Sequence, residues 1–155
     1  MPSSPSPAQQ LRRFLAKYTP EIAAEGRRAL AKMRKRLPGA TEMVYDNYNG
    51  LAIGFGPTEK PSLAIFSILL TPNHVTLCFL QGAGIPDPNR RPKGSGNVVR
   101  HIRLVPPSVL ADPEIVDLVN SALYRAKEPI NPKSRRALII KSISVKQRPR
   151  RPRSK

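Results

Sequence analysis

The chain has 155 residues, which suits one domain with extensions, and a formal net charge of +17 from 27 Lys/Arg and 10 Asp/Glu. Its single cysteine excludes an intrachain disulfide and a thiol-rich metal site. A membrane helix needs about 18 consecutive apolar residues, and the sequence contains no such run. Residues 1–7 also lack the apolar core of a secretory signal. The composition therefore predicts a cytoplasmic protein without a membrane partner.

The N-terminal part of the chain predicts an extension followed by an amphipathic helix. Residues 1–8 are rich in Pro and Ser and contain too little apolar surface to be ordered, whereas Gln9–Lys17 has apolar residues at helical spacing. Thr19-Pro20 then supplies an N-cap and a proline at the first helical position. The expected helix, Pro20–Leu37, has one apolar face and one basic face, and it ends at Pro38-Gly39.

The middle of the chain predicts an antiparallel sheet closed by a second helix. From Thr41 the apolar period changes to two, and Asn49-Gly50 is one of several turn signals. Asp112 opens an amphipathic helix that runs to about Ala126. Two such helices over one sheet predict a two-layer α+β sandwich. The five expected strands are Glu42–Tyr48, Leu51–Phe55, Ser62–Leu70, His74–Leu80 and Val98–Val105.

The composition changes again after Glu128. Ala137–Val145 is predicted to be either an extra strand or a partner-binding segment, and residues 146–155 alternate cations with prolines and are expected to be unfolded alone. The predicted organisation is an N-terminal extension over residues 1–18, an α+β domain over 19–128 and a basic extension over 129–155.

The positive charge is concentrated in the two ends of the chain. Residues 1–40 contain nine Lys/Arg and two Glu, and residues 129–155 contain ten Lys/Arg and no acid. Residues 41–128 contain eight charges of each sign. An extended, proline-containing basic tail suits the neutralisation of phosphates along a nucleic acid or another polyanion, and a solubilising tail is the alternative interpretation.

Nucleic-acid contact is expected from the tail and from the basic face of the first long helix. The tail contains no aromatic side chain that would stack on bases, so binding without sequence preference is predicted. The predicted nucleic-acid-binding residues are Arg28, Lys32, Lys35, Lys146, Arg148, Arg150, Arg151, Arg153 and Lys155.

A small-molecule site is the second hypothesis, and it combines the Gly-rich loop with one mixed face of the sheet. Gly94-Ser95-Gly96 offers backbone N–H groups to an anion, but a strand rather than a helix follows Asn97, which favours a plain hairpin loop over a phosphate-binding fingerprint. The candidate ligand-binding residues are Glu42, Tyr45, Tyr48, Lys93, Gly94, Gly96, Arg100, His101 and Arg103.

No catalytic residue is predicted. Cys78 and His74 lie four residues apart on one expected strand, about 13 Å along it, which is too far for a hydrogen bond. His101 reaches Cys78 only if its strand is the neighbour and has the matching register. A cysteine in mid-strand is most often a small buried hydrophobe, so structural roles are expected for all three residues.

Several short motifs carry a family resemblance over about residues 20–127. They are the helix end Leu37-Pro38-Gly39-Ala40 with Glu42 and Tyr45 beyond it, Gly94-Ser95-Gly96 after Lys93, the strand Val99–Arg103, and the closing helix Pro113–Ala126. In these features the chain resembles the YdhG-like domain family, although Tyr45-Asp46-Asn47-Tyr48 replaces the usual Tyr-Gly-Met or Tyr-Gly-Tyr. The resemblance implies a small intracellular α+β domain without established catalytic residues, whose outline is shared with frataxin-type iron chaperones.

The distribution of carboxylates argues against an iron-binding role. Iron bound without thiols or imidazoles needs several carboxylates on one surface, and the helix Pro20–Leu37 carries two acids against six bases. No metal and no cofactor is therefore predicted. The sequence as a whole predicts a non-catalytic binding module that contacts nucleic acid or another acidic partner, with a small-molecule or iron binder as the alternative.

Overall fold

The structure is a computed structural model that describes residues 4–82, 100–104 and 107–152. These residues form an α+β fold with three α-helices and a six-stranded sheet. The helices are α1 (Pro7–Ala16), α2 (Pro20–Arg36) and α3 (Pro113–Tyr124). The strands are β1 (Thr41–Asp46), β2 (Leu51–Gly56), β3 (Phe66–Thr71), β4 (His74–Phe79), β5 (Arg100–Arg103) and β6 (Ala137–Ile143).

Side-chain caps determine where the helices begin. Ser6 and the side chain of Gln9 form a capping box at α1. The Thr19 hydroxyl accepts a hydrogen bond from the N–H of Ile22 at the start of α2, and Asp112 caps α3 in the same way. Each helix has proline in its first turn, where a backbone N–H would have no acceptor within the helix, so the missing N–H costs no hydrogen bond. Local sequence signals place the starts of α2 and α3. The expectation that residues 1–8 are unordered is wrong for Pro7 and Ala8, because the Ser6 cap starts α1 two residues before the predicted Gln9.

The strand order in the sheet is β5-β4-β3-β2-β1-β6. The first five strands form the predicted antiparallel meander, and the α+β class is confirmed. The sixth strand, β6, differs from the prediction because it pairs in parallel with β1 and makes the sheet mixed. Ala137–Ile143 therefore completes the sheet of its own chain. Its register with β1 shifts between Val44 and Tyr45, which marks a local irregularity in the pairing.

The helices cover one face of the sheet. Alternation along β2, β3 and β4 turns large apolar side chains such as Ile53, Ile68 and Leu77 towards this face, where they are fully buried. Leu30 of α2 and Ile115 of α3 belong to the same hydrophobic core. The opposite face carries smaller and more polar side chains that are half-buried, among them Ala52, Ser67, Thr76 and Cys78.

Gly39 determines how the C-terminal segment passes the end of α2. Its φ angle of +82° lies in the left-handed region, which favours glycine. A Cβ atom at this position would overlap the backbone carbonyl oxygen of Asn131, in the connection between α3 and β6. The glycine therefore permits both the turn after α2 and the close approach of the segment that leads into β6.

Replacing Gly39 by Ala is expected to destabilise the protein by about 2 kcal/mol or more, because the substitution adds both backbone strain and a clash with backbone atoms. Gly54→Ala is the matched control, since a Cβ there would lie no closer than 3.7 Å to the nearest atom outside the adjoining residues. The control should change the free energy of unfolding by less than about 1 kcal/mol. Urea unfolding followed by far-UV circular dichroism measures both; equal losses in the two variants would contradict this role for Gly39.

Candidate functional site

The carboxylate of Asp46 joins both ends of the chain to the sheet. Asp46 is the last residue of β1, its side chain points to the helix-covered face, and it is 0% exposed. Lys17, at the end of α1, places its Nζ 2.8 Å from Oδ2. Arg150, from the C-terminal extension, places a guanidinium nitrogen 2.9 Å from Oδ1. One buried acid is therefore shared by cations from the first and last parts of the chain.

Arg150 makes further contacts that bury it beside the β1–β2 turn. Its guanidinium donates hydrogen bonds to the carbonyl oxygens of Asn47 and Tyr48. It also lies 5.9 Å from the centre of the Tyr18 ring, which is within cation–π distance. The planar, multiply donating guanidinium suits a site in which one carboxylate and two carbonyls converge. Arg150 is therefore part of the folded structure.

The residues around Arg150 also bind the folded domain. Gln147 donates a 3.0 Å side-chain hydrogen bond to the backbone oxygen of Asp46, and the N–H of Arg148 donates to Tyr48 O at 2.9 Å. Arg151 donates to the backbone oxygen of Lys17 at 3.2 Å, where a cation is favoured by the α1 dipole. The prediction that this segment is unfolded is therefore wrong for residues 147–151. The segment has little apolar surface to bury, but an ion pair and hydrogen bonds attach it to the domain.

The contacts of Asp46 lower the pKa of its carboxyl. Burial by itself acts to raise this pKa, but hydrogen bonds from Lys17, Gln147 and Arg150, together with the charge of Lys17, outweigh the burial and hold the pKa below its usual range. Tyr18, which packs nearby, has its phenol pKa raised by burial, and its hydroxyl donates to Leu70 O and accepts from Leu51 N–H. Both groups are thus held in their neutral-pH states and serve as structural anchors.

The two basic ends of the sequence pack against each other. α1 packs against α2 and beside β6, and the guanidinium of Arg136 donates a 2.6 Å hydrogen bond to Arg34 O near the end of α2. At the other end, Arg151 binds the last turn of α1. We use the term basic surface for a set of exposed cations that these two ends contribute. The set comprises Arg12, Arg13, Arg27, Arg28, Lys32, Lys35, Lys133, Arg135, Lys146, Arg148 and Arg151.

The structure separates the predicted nucleic-acid-binding residues into three groups. Arg28, Lys32 and Lys35 are exposed along one stripe of α2, since they are spaced four and three residues apart. Lys146, Arg148 and Arg151 are also exposed, in the docked C-terminal segment. Arg150 is buried against Asp46 and is not free to meet a phosphate. Arg153 and Lys155 lie outside the described residues.

The structure does not bring the predicted small-molecule residues together. Glu42 points to the helix-covered face, is buried, and accepts two 2.8 Å hydrogen bonds from Arg34. Tyr45, three residues along the same strand, points to the opposite face. The carboxylate predicted to contribute to a ligand site is therefore already part of an ion pair within the fold.

The remaining members of that set are also dispersed. Arg100 shares a face with its partner Phe79, whereas His101 and Arg103 of β5 share a face with Cys78 and Thr76. The other members are Tyr48, which is exposed in the β1–β2 turn next to Arg148, and Lys93, Gly94 and Gly96, which lie outside the described residues.

Cys78 and His101 do meet the register condition, because the two residues are directly opposite each other on β4 and β5. Burial nevertheless raises the pKa of the Cys78 thiol, and a hydrogen bond with Ser67 offsets this only in part. The thiolate is the nucleophilic form, so a raised pKa opposes nucleophilic chemistry at neutral pH. Cys78 and His101 are therefore neighbours across the sheet, and the thiol lacks the lowered pKa of a nucleophilic cysteine.

No protein-family model, curated protein or solved structure matches the chain. Within the described ranges, no helix is both long and apolar enough to cross a membrane. The same residues contain no group of three His, Cys, Asp or Glu side chains placed to hold a metal ion. Function therefore has to be argued from the chemistry of the surface.

Arg150→Ala is expected to destabilise the protein by about 3 kcal/mol, because it removes one partner of a buried ion pair. Arg148→Ala is the matched control, since Arg148 is exposed two residues away, and its effect should stay within about 0.5 kcal/mol. Urea unfolding gives both values, and limited trypsin digestion reports whether the C-terminal segment is released. Indistinguishable stabilities would show that the Asp46 contact does not hold the segment.

The dependence of the free energy of unfolding on pH provides a second test of the Asp46 contacts. Because the folded-state pKa is lower than the unfolded value of about 3.9, the stabilisation is present above that value and is lost as the pH falls through the folded-state pKa. In Asp46→Asn, the free energy of unfolding should therefore depend less steeply on pH between about pH 5 and pH 2.5. Glu59→Gln, which removes an exposed acid, should keep the wild-type slope; a wild-type slope in Asp46→Asn would contradict the assignment.

Proposed function

We propose that this protein is a non-catalytic binding module and that it binds nucleic acid through the basic surface. The observation that carries the proposal is that the two basic ends of the chain, although distant in sequence, pack against each other in the fold. Residues 1–40 and 129–155 together contain 19 Lys/Arg and two Glu. Such a field attracts a polyanion of any sequence.

The binding mechanism is the release of counterions from the phosphate backbone. Each exposed Lys or Arg that meets a phosphate displaces a condensed cation, which makes affinity strongly dependent on salt. The stripe of Arg28, Lys32 and Lys35 and the docked cations Lys146 and Arg148 supply such contacts from two different elements. Phosphate contacts of this kind orient a nucleic acid without reading its bases.

The C-terminal segment is already docked on the domain, so less conformational entropy is lost when nucleic acid binds. Arg150 and Gln147 attach this segment to Asp46, so Lys146 and Arg148 are presented from a backbone that is already ordered. Arg148 also lies 5.6 Å from the centre of the exposed Tyr48 ring, which restricts its guanidinium. Ordering of flexible side chains and backbone is one of the main costs of association, and here part of that cost is met during folding.

Removal of residues 129–155 is a poor test of this proposal, because that segment contains β6 and the buried cation Arg150. Substitution of exposed cations is expected to leave the fold intact and is therefore more informative. Three triple variants, each with three fewer positive charges, suit the purpose. They are Lys133/Lys146/Arg148→Gln in the C-terminal segment, Arg28/Lys32/Lys35→Gln in α2 and, as the control on the β5 and α3 side, Arg103/Arg125/Lys127→Gln.

Fluorescence anisotropy with labelled duplex DNA and structured RNA over a salt series tests these variants. Wild-type protein should bind with a steep salt dependence, and each basic-surface triple should lower the log–log slope by about 0.9 for every duplex DNA phosphate that it no longer neutralises. The control should retain most of the wild-type slope. Absence of binding at about 0.15 M salt, or equal losses of affinity in all three triples, would overturn the proposal.

A further inference from the structure

A cavity lies between α2, α3 and the short 3-10 turn Pro107–Ala111. Its volume is about 390 Å³, which falls within the range of about 300–1,000 Å³ that is typical of small-molecule sites. The side chains that line it come from all three elements. They are Lys32, Met33, Lys35 and Arg36 of α2, Leu110 and Ala111 of the turn, and Val116 and Val119 of α3.

Apolar side chains form most of the cavity wall. Met33 and Val119 belong to the hydrophobic core and are buried, so the inner wall is rigidly packed. Val116 is 37% exposed, which leaves a large aliphatic side chain open to solvent on the rim. An aliphatic chain or an aromatic ring that covered these residues would remove apolar surface from water, which is favourable in proportion to the area buried.

The rim of the cavity is cationic. Lys32, Lys35 and Arg36 lie within five residues at the end of α2, and none of the described residues that line the cavity is acidic. Arg36 is positioned across the gap between the helices by a hydrogen bond to the side chain of Asn120 in α3. Three neighbouring positive charges repel one another, and a bound anion relieves that repulsion.

We propose that this cavity binds a small amphipathic anion, a carboxylate with an aliphatic body. The body packs on Met33, Val116 and Val119, and the carboxylate is bound by the ammonium groups of Lys32 and Lys35. The combination of an apolar wall with a cationic rim distinguishes this site from the rest of the basic surface, where phosphates meet exposed cations. The inference does not depend on nucleic-acid binding.

Calorimetric titration of the full chain with octanoate, decanoate and 1-octanol tests both halves of the site. Octanoate should bind at least tenfold more tightly than octanol, because only octanoate interacts with the cationic rim. Each added CH₂ group should tighten binding by up to about fourfold, so decanoate should exceed octanoate by about tenfold. Equal affinities for octanoate and octanol, or no gain with chain length, would overturn the proposal.

Val116→Glu places a carboxylate on the rim and should weaken octanoate binding at least tenfold. Val145→Glu is the matched control, since Val145 is 102% exposed in the C-terminal segment, lies outside the cavity and undergoes the same change. The control should bind octanoate within twofold of wild type. Duplex DNA binding should persist in Val116→Glu, reduced at most by the contacts of Lys32 and Lys35, because Lys146 and Arg148 do not line the cavity. Complete loss of DNA binding in wild type would count against the nucleic-acid proposal alone.

A second variant keeps the test decisive if Val116→Glu proves unstable by circular dichroism. Lys32/Lys35→Gln should weaken octanoate binding and leave octanol binding unchanged. Sedimentation velocity identifies the competing occupant of this apolar surface. If wild type is a dimer, Val116→Glu is a monomer and octanoate releases no heat, the cavity belongs to an interface between two copies of the chain and the proposal is overturned.

Discussion

The ion cluster that the buried Asp46 forms with Arg150 and the partly exposed Lys17 is the constraint on which the arrangement of both chain ends depends. A carboxylate with no exposed surface is tolerated only if cations and hydrogen-bond donors replace its lost water. Here those donors come from the end of α1 and from a residue near the C terminus. Satisfying one acid therefore requires α1, β1 and the C-terminal segment to meet at a single place.

Burying acids in this way also determines the electrostatics of the surface. Glu42 and Asp46 are both on the helix-covered face of β1, and each binds an arginine, Arg34 or Arg150, from one of the two basic ends of the chain. These two carboxylates hold the basic segments on the fold without neutralising the exposed cations. The +17 net charge, which by itself opposes compaction through self-repulsion, is thus used partly as internal attachment.

Local signals predict much of the fold, whereas contacts between distant residues escape prediction. Thr19 and Asp112 cap helices because capping depends only on adjacent residues. The parallel pairing of β6 with β1 depends on a long connection and on Gly39, so no short window of sequence contains it. The docked tail escapes prediction for a related reason. The composition of a segment indicates only how much apolar surface the segment can bury. The tail has little such surface, but the ion pair between Arg150 and the buried Asp46 attaches it to the fold.

Strand parity explains why the described members of the candidate ligand site do not lie together. Glu42 and Tyr45 are an odd number of residues apart on β1, so they cannot share a face of a regular strand, and Arg100 and His101 on β5 have the same difficulty. The same parity places Glu42 with Asp46 on the helix side, where cations are available. Alternation thus separates Glu42 from Tyr45, whereas the choice of Arg34 and Arg150 as ion-pair partners depends on contacts outside β1.

The two proposed anion sites share one helix, and this sharing has a thermodynamic consequence. Lys32 and Lys35 belong both to the stripe that faces a polyanion and to the rim of the apolar cavity. If a carboxylate in the cavity neutralises these ammonium groups, fewer charges remain for phosphates along α2, and the reverse also holds because coupling between two ligands is reciprocal. The cations of the C-terminal segment are not part of the cavity, so such competition would weaken polyanion binding without abolishing it. A helix placed in this way would make nucleic-acid affinity responsive to a small apolar acid through shared charge alone, with no change in the fold.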